Sequence, residues 1–471
     1  MAAQNLTWAR VLTGATLGFH IVFATLGVGM PLFILVALVL AAWRQDPDLA
    51  LLARRWIRAM VVLVVTGAAS GTLIGLDLYI FWPQFMAVAG RVIILPLVLE
   101  GFAFFMEAAA LSLYLYRGER LSAGKQVALW VPVTIGAGAS GFLITTMNAF
   151  MNAPAGFLLM DGQPTAVRPW AALFNLATPT ETAHVLVTAY LTTGAILAAT
   201  AALSLLRGSN HRYFRKAVSL SVAVTAPLSL AAVYTGDQAG KFLAMHQPEK
   251  LAALEGLIQT TRAAPEVLFG WFSPRAGQLV GGLRLPVPGL LSYLATGRFD
   301  ATIQGLRAFP PGTWPPLVVH DLFDAMVAIG FYLVGAILAD ALPRWRHGAA
   351  YHPSRARLWL LAFAGPLAML AVELGWVAAE EGRQPWLIYG LMTDRQGVTT
   401  AHGLPLIGAV YLPLYVALVV VTVLALRATF RRYRLHIDPE TDRIVEFYAG
   451  TPPAAPQGHP LAPGRWGWWQ R

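Results

Sequence analysis

Apolar positions run along this chain in long unbroken blocks, with neither the strict alternation of a half-buried strand nor the single stripe of a soluble helix. About nine blocks are long enough to cross a bilayer as helices, at roughly 11–42, 57–82, 93–116, 126–150, 183–206, 217–235, 318–342, 358–379 and 403–427. Lipid offers no water to a bare peptide group, so such segments must close their own hydrogen bonds. The expectation is an all-α, polytopic membrane protein. Basic residues mark alternate ends of the blocks. Arg44, Arg54, Arg55 and Arg58 follow the first, Arg117, Arg120 and Lys125 the third, and Arg207, Arg212, Arg215 and Lys216 the fifth. Arg344, Arg346, Arg355 and Arg357 follow the seventh, and Arg427, Arg431, Arg432 and Arg434 the ninth. The other connections carry only Arg91, Arg168, Arg383 and Arg395. The positive-inside rule then puts the N-terminus outside and the C-terminus in the cytoplasm.

Composition agrees. Hydrophobic residues make up 57% of the 471 and charged residues only 12%, about half the share of a soluble domain. The net charge of +10 sits in the inner connections, so it calls for no nucleic-acid partner. The chain has no cysteine, which excludes iron–sulfur clusters, thiolate-ligated haem, CxxCH haem attachment and disulfides. The N-terminus lacks a basic region before a short apolar core, so no cleavable signal is expected. Residues 236–317 read as a long outer loop, in which PEKLAALEGLIQTTR has the spacing of a short interfacial helix. From about 436 a Pro/Gly-rich stretch reads as a partly disordered cytoplasmic tail ending in an interfacial WGWW, leaving 1–435 as the transmembrane domain. No internal repeat is evident, which weighs against an inverted-repeat transporter.

Rare polar side chains inside the apolar blocks carry the chemistry. LVLEGFAFFMEAAALSLYLY, residues 97–116, holds Glu100 and Glu107. An ionisable group near the bilayer centre costs roughly 2.5–3.5 kcal/mol on insertion scales. Residues seven apart share a helix face, roughly 10 Å apart along the axis, a separation that a proton can cross through a water. Of ten histidines, His20 and His184 lie well within spans. Met326 lies early in the seventh and Glu373 late in the eighth. Singly, each is more often packing or a hydrogen-bonded core residue than a ligand. By the charge pattern, however, His20, Glu100, His184, Met326 and Glu373 all fall in the outer half of the membrane. A His with a Met makes a six-coordinate low-spin haem iron, and an iron held by one His or a carboxylate keeps a position open for a gas. Spacing alone leaves a proton-coupled transporter site equally open.

At these residues the chain resembles the large subunit, subunit I, of a cytochrome bd-type quinol oxidase. The most specific string is GRQPW, Gly382 to Trp386, after ELGW and before IYG. QPEKLAALEG resembles the family's quinol-binding loop, and EGFAFFMEA, MNAFMNAPAG, GDQAG and the Arg10…His20 spacing add to the likeness, which weakens after about residue 430. The resemblance implies that His184 and Met326 hold a low-spin haem b. It implies that His20 and Glu373 hold the two haems of the oxygen site, a high-spin haem b and a haem d or a further haem b in its place. Glu100 and Glu107 match paired glutamates, one beside the active haem and one on a proton route. Lys250 and Glu255 match loop residues tied to quinol oxidation, and Ser140 and Asn148 are weaker matches near the proton path and the haem propionates. Arg10 and Arg383 are either interface anchors or partners of those propionates. The sequence departs from the family pattern at Asp324, where Arg is frequent two residues before the Met, at Phe150 and Asn152, where Trp and Gln are usual, and at Asp77, where Glu is usual. The short loop and IYG lean towards the cyanide-insensitive branch.

The implied activity is quinol oxidation coupled to reduction of oxygen to water, with protons taken from the cytoplasm and energy conserved as membrane potential. The implied partners are a second large subunit (subunit II), optional small single-span subunits, quinol, oxygen and membrane lipid. The implied location is the cytoplasmic (inner) membrane of a bacterium or archaeon. A haem-bearing electron carrier without oxygen chemistry and a haem-free proton-coupled transporter are the rival readings. A haem–copper oxidase would need more histidines within its spans than His20 and His184.

Overall fold

The computed structural model describes residues 2–448 apart from 274, 276, 277 and 439–442. Its helices are α1 (Ala2–Arg44), α2 (Pro47–Phe81), α3 (Pro83–Val92), α4 (Ile94–Arg117), α5 (Ala123–Asn152), α6 (Pro169–Leu173) and α7 (Thr178–Leu206). There follow α8 (Arg212–His246), α9 (Pro248–Leu254), α10 (Leu290–Thr296), α11 (Val319–His347), α12 (Arg355–Glu381), α13 (Asp394–Gly397) and α14 (Leu404–Arg432). Among the described residues, nine of these are long and apolar enough to cross a membrane: α1, α2, α4, α5, α7, α8, α11, α12 and α14. The chain is therefore a multi-pass helical membrane protein.

Polar caps set where the spans start. The Asp46 carboxylate accepts from the amides of Asp48 and Leu49 and Pro47 opens α2, while His211 and Ser354 cap α8 and α12. Side by side, α7 packs on α8 and α12, and α11 packs on the same two, so these four close into a ring with α7 and α11 on its diagonal. The first helix lies against α2, α5 and α7, α4 rests on α5, and α14 covers α1 and α2. Small residues let the backbones meet. A Cβ on Gly29 would fall 1.9 Å from Thr193 Oγ1, and one on Gly194 would fall 1.9 Å from Thr225 Oγ1. Either substitution would therefore push α7 away from α1 or from α8.

Three expectations need correction. The eighth helix does not stop near residue 235: GDQAGKFLAMH stays helical to His246, stitched by the Asp237–Lys241 pair at 2.6 Å. The loop expected on the outer side thus begins at Gln247, where Pro248 opens the short helix α9 in place of continuing α8. Second, α3 is a separate short helix that the apolar pattern did not reveal. Third, the segment after α14 is not loose tail from 436. Tyr433–Asp438 and Arg443–Tyr448 pair as an antiparallel hairpin. Glu446 in its second strand receives Arg55 at 2.7 Å and also pairs with Arg58, whose guanidinium lies 3.9 Å from the Tyr433 ring centroid. WGWW and the remaining tail lie outside the described residues.

The Glu446 side chain is only 9% exposed. Glu446→Ala would take the shared carboxylate from two largely buried guanidinium groups, a loss on the order of 3 kcal/mol. The expected outcome is a hairpin open to protease just after α14 with the membrane bundle intact, read by limited proteolysis of the purified protein.

Candidate functional site

His184 stands on α7 and Met326 on α11, the two diagonal helices of the four-helix ring. Both are half-buried. His184 Nδ1 lies 3.0 Å from the Thr235 hydroxyl of α8, and that hydroxyl donates its own proton to the Ala231 carbonyl at 3.0 Å. With its proton on that carbonyl Thr235 accepts, and the imidazole in this arrangement carries its proton on Nδ1 and keeps the Nε2 lone pair for a ligand. On the facing side, a Cβ at Gly375 of α12 would come 2.8 Å from Met326 Sδ, so only glycine leaves the thioether its place.

The same device recurs at His20 of α1. Its Nδ1 lies 3.0 Å from the Ser70 hydroxyl of α2, which donates to the Thr66 carbonyl at 3.0 Å. Again Nε2 is left with the lone pair. Glu373 of α12 comes close to α1 two residues away: a Cβ on Gly18 would sit 3.4 Å from its Oε2. Its other oxygen, Oε1, is buried with no hydrogen-bond partner, a costly arrangement for a side chain without a ligand. Glu380 supplies α12 with a second carboxylate about two turns further along, and the sequence reading missed it. It accepts from Asn148 at 2.5 Å and from Arg383. Its signal was present in EEGRQPW, as an acid one helical turn before Arg383.

Glu100 and Glu107 lie on α4 facing α5. Glu100 accepts from Ser140 at 2.7 Å. Glu107 is buried, 5% exposed, and packs where a Cβ on Gly136 would come 2.9 Å from its own Cβ. Glu100, His184 and Met326 sit about two turns into α4, α7 and α11, and Glu373 about two turns from the end of α12. Since successive long helices alternate in direction, these four residues gather towards one end of the bundle.

The loop residues Lys250 and Glu255 stand close in sequence but belong to different polar clusters. Buried Lys250 donates to the Ala379 carbonyl at 2.9 Å and lies near Arg383, Glu181 and Glu380. Burial first, and then the Arg383 charge, push its ammonium down to about 8. Arg383 is itself buried, with Nε and Nη1 unpartnered, and Arg10 leaves its Nε unpartnered while binding Gln384 and, at 2.6 Å, Asp394. Glu255 instead shares a hydrogen bond with Glu266, a residue that sequence reasoning did not single out. Two carboxyls so joined must share a proton, and burial followed by Glu266 holds Glu255 well above the usual carboxylate range. His320 bridges this cluster to the backbone through the Leu254 carbonyl at 2.8 Å, and Asp324 accepts the Phe269 amide at 2.5 Å. Asp324 therefore ties the outer loop to α11.

Such a bundle, with imidazoles inside its spans and guanidinium groups that keep spare donors, defines a polytopic membrane protein with an interior able to receive a charged prosthetic group. The chain belongs to the cytochrome bd terminal oxidase subunit I family, whose family model matches residues 8–434. It is similar to the protein of Bacillus subtilis (strain 168) named "Putative cytochrome bd menaquinol oxidase subunit I", 38% identical over 93% of this chain and 99% of that one. It is also similar to the cytochrome bd ubiquinol oxidase subunit 1 of the same organism, 26% identical over 84% of this chain and 86% of that one. Among solved structures, the bd oxidase from Geobacillus thermodenitrificans matches with a TM-score of 0.85 and 42% identity, over 91% of this chain and 98% of that one.

The family implies haem, and the residues fit it. His20 and His184 each free one nitrogen, Met326 offers sulfur, Glu373 offers an orphaned oxygen, and the spare Arg383 and Arg10 donors suit propionate carboxylates. His184→Ala is expected to remove the low-spin haem signal from the reduced absorption spectrum. Thr235→Val, which takes away the acceptor that sets the tautomer, is expected to weaken haem retention by about tenfold, the lower end of the usual cost of a missing outer partner.

Proposed function

We propose that the chain is the haem-bearing subunit of a quinol:oxygen oxidoreductase in the cytoplasmic membrane, with its N-terminus outside and its ligand-bearing end in the outer half. The observation that carries this reading is the pair of imidazoles inside the spans, His20 and His184, each with Nδ1 beside a neighbouring hydroxyl and Nε2 free of a hydrogen-bond partner among the described residues. When bound, haem supplies one-electron transfer and the reduction of oxygen. His184 and Met326 would hold the low-spin haem b. His20 and a carboxylate of α12, Glu373 in the sequence reading, would hold the oxygen-site haems, a high-spin haem b and a haem d or a further haem b.

The protein's own groups supply position and protons. Quinol docks against the loop that starts at Gln247. Lys250 steadies its oxygen, and the Glu255–Glu266 pair accepts a proton and passes it outward. Glu107 and Glu100 form a line along α4, the second steadied by Ser140, that brings protons from the cytoplasm towards the oxygen site. Arg383 and Arg10 hold propionates. A second large subunit completes the complex, and small single-span subunits are optional partners.

A spectrum of the purified complex, reduced with dithionite and then exposed to carbon monoxide, tests the reading. The expected result is a low-spin haem signal together with a component that binds carbon monoxide, and a red chlorin band identifies haem d. A colourless protein would support the transporter reading, and haem that ignores carbon monoxide would support the carrier. On α12, loss of the high-spin signal in Glu373→Gln or in Glu380→Gln identifies the ligating carboxylate. Lys250 carries its charge below about pH 8 and loses it above. The KM for quinol is therefore expected to rise through that pH, with the inflection absent in Lys250→Arg, as steady-state oxygen consumption would show.

A further inference from the structure

At the end of the bundle opposite the haem ligands, where α11 turns into α12, a cavity of about 540 Å³ opens. Its lining includes Arg346, His347, His352 and Arg357 and no carboxylate. The carboxylate beside it, Asp340, is already engaged by Arg344 at 2.6 Å and by the Tyr351 hydroxyl at 2.8 Å. His352 is committed too: it accepts from Arg215 at 2.7 Å on Nε2, so its proton is on Nδ1, donated to the Ala350 carbonyl at 3.1 Å. Among the described residues Arg346 meets no carboxylate, and Arg357 donates only to Tyr351 at 3.3 Å. Two guanidinium groups, from Arg346 and Arg357, thus line a space whose lining holds no carboxylate, with Arg215 behind His352.

Leu342 and Pro343 line the same cavity on its bundle side, and Leu342 is 55% exposed. Trp345, next to Arg346 on the last turn of α11, is 84% exposed. An indole so placed at the end of a membrane helix marks the headgroup level. Positive groups at that level with an apolar rim towards the spans match a molecule with a phosphate head and an acyl tail. We propose that this cavity binds the phosphodiester of an anionic phospholipid, gripped by Arg346 and Arg357 with Arg215 behind them. A free phosphate lacks the tail for the Leu342 rim, and a protein segment would leave Trp345 with no lipid to enter.

The whole purified oxidase complex, stripped by detergent washing, serves for the test. Native mass spectrometry follows its titration with phosphatidylglycerol, with phosphatidylcholine and with inorganic phosphate. The expected result is a phosphatidylglycerol that stays bound to the wild type and binds about tenfold more weakly to the Arg346→Ala/Arg357→Ala double variant. Phosphatidylcholine is expected to show no such difference, and millimolar phosphate is expected not to displace the lipid. An unchanged haem spectrum shows that the variant is folded. Arg346→Gln alone, with a smaller loss expected, replaces it if the double variant fails to assemble. Equal phosphatidylglycerol binding by variant and wild type would overturn the proposal, as would equal binding of phosphatidylcholine or displacement of the lipid by phosphate. So would protection of Arg346 from phenylglyoxal in the lipid-free complex, which would place a partner subunit over the cavity.

Discussion

A side chain buried between helices in hydrocarbon has no water to fall back on, so the hydroxyl beside each imidazole decides what that imidazole can do. Ser70 and Thr235 each lie within reach of a carbonyl of their own helix, and a hydroxyl that spends its proton there accepts from the histidine. In that arrangement His20 and His184 carry their proton on Nδ1 and keep the Nε2 lone pair. Without the two hydroxyls either ring nitrogen could carry the proton and the site would lose its pre-set donor. The choice of tautomer, made by helices α2 and α8, thus governs the ligand sets on α1 and α7.

The backbone packing serves the same end. Glycine at 375 leaves room for the Met326 thioether, and glycine at 236 lies beside the His184 ring, where a Cβ would come 3.4 Å from its Cε1. A ring of four helices places His184 and Met326 on a diagonal, so the groups approach from opposite sides of one interior space. Neither residue is closed off from its surroundings, as expected where a large planar group shares the interior. The unsatisfied atoms of Glu373, Arg10 and Arg383 follow the same logic. Native proteins leave few buried polar atoms unpaired, and haem and its propionates would complete those of Glu373, Arg10 and Arg383.

Much of this was legible in the sequence. Apolar blocks are a local signal, so the long helices and their number followed from them, and rare polar residues inside apolar blocks stood out one by one. Boundaries were less legible. The segment GDQAGKFLAMH is polar enough to read as loop, yet continues α8 because no proline stops it before Pro248. The hairpin after α14 depends on Glu446 meeting Arg55 and Arg58 from a distant helix, a pairing no local pattern shows. Glu266 is another such case: its meaning comes from Glu255 across a turn of loop. Ser70 and Thr235 looked like ordinary hydroxyls in apolar spans. Their role emerges only when the hydrogen bonds on both sides of each oxygen are followed.

The separation of Lys250 from Glu255 has a consequence for how the outer loop works. One short helix, α9, points the ammonium towards Ala379, Arg383 and Glu380 at the end of α12, while the residue after it turns Glu255 towards Glu266 and α11. A quinol ring lying along α9 would touch a positive group that favours its oxygen at one side and a proton-sharing carboxyl pair at the other. The positive side is continuous with Arg383, which keeps two donors spare. The carboxyl side adjoins His320, held between carbonyls of Leu254 and Phe269. On the proposed reading, charge attraction and proton acceptance would fall to different walls of the same loop, a split that would let the electron leave past Arg383 while the proton leaves past Glu266, the separation a quinol oxidase needs.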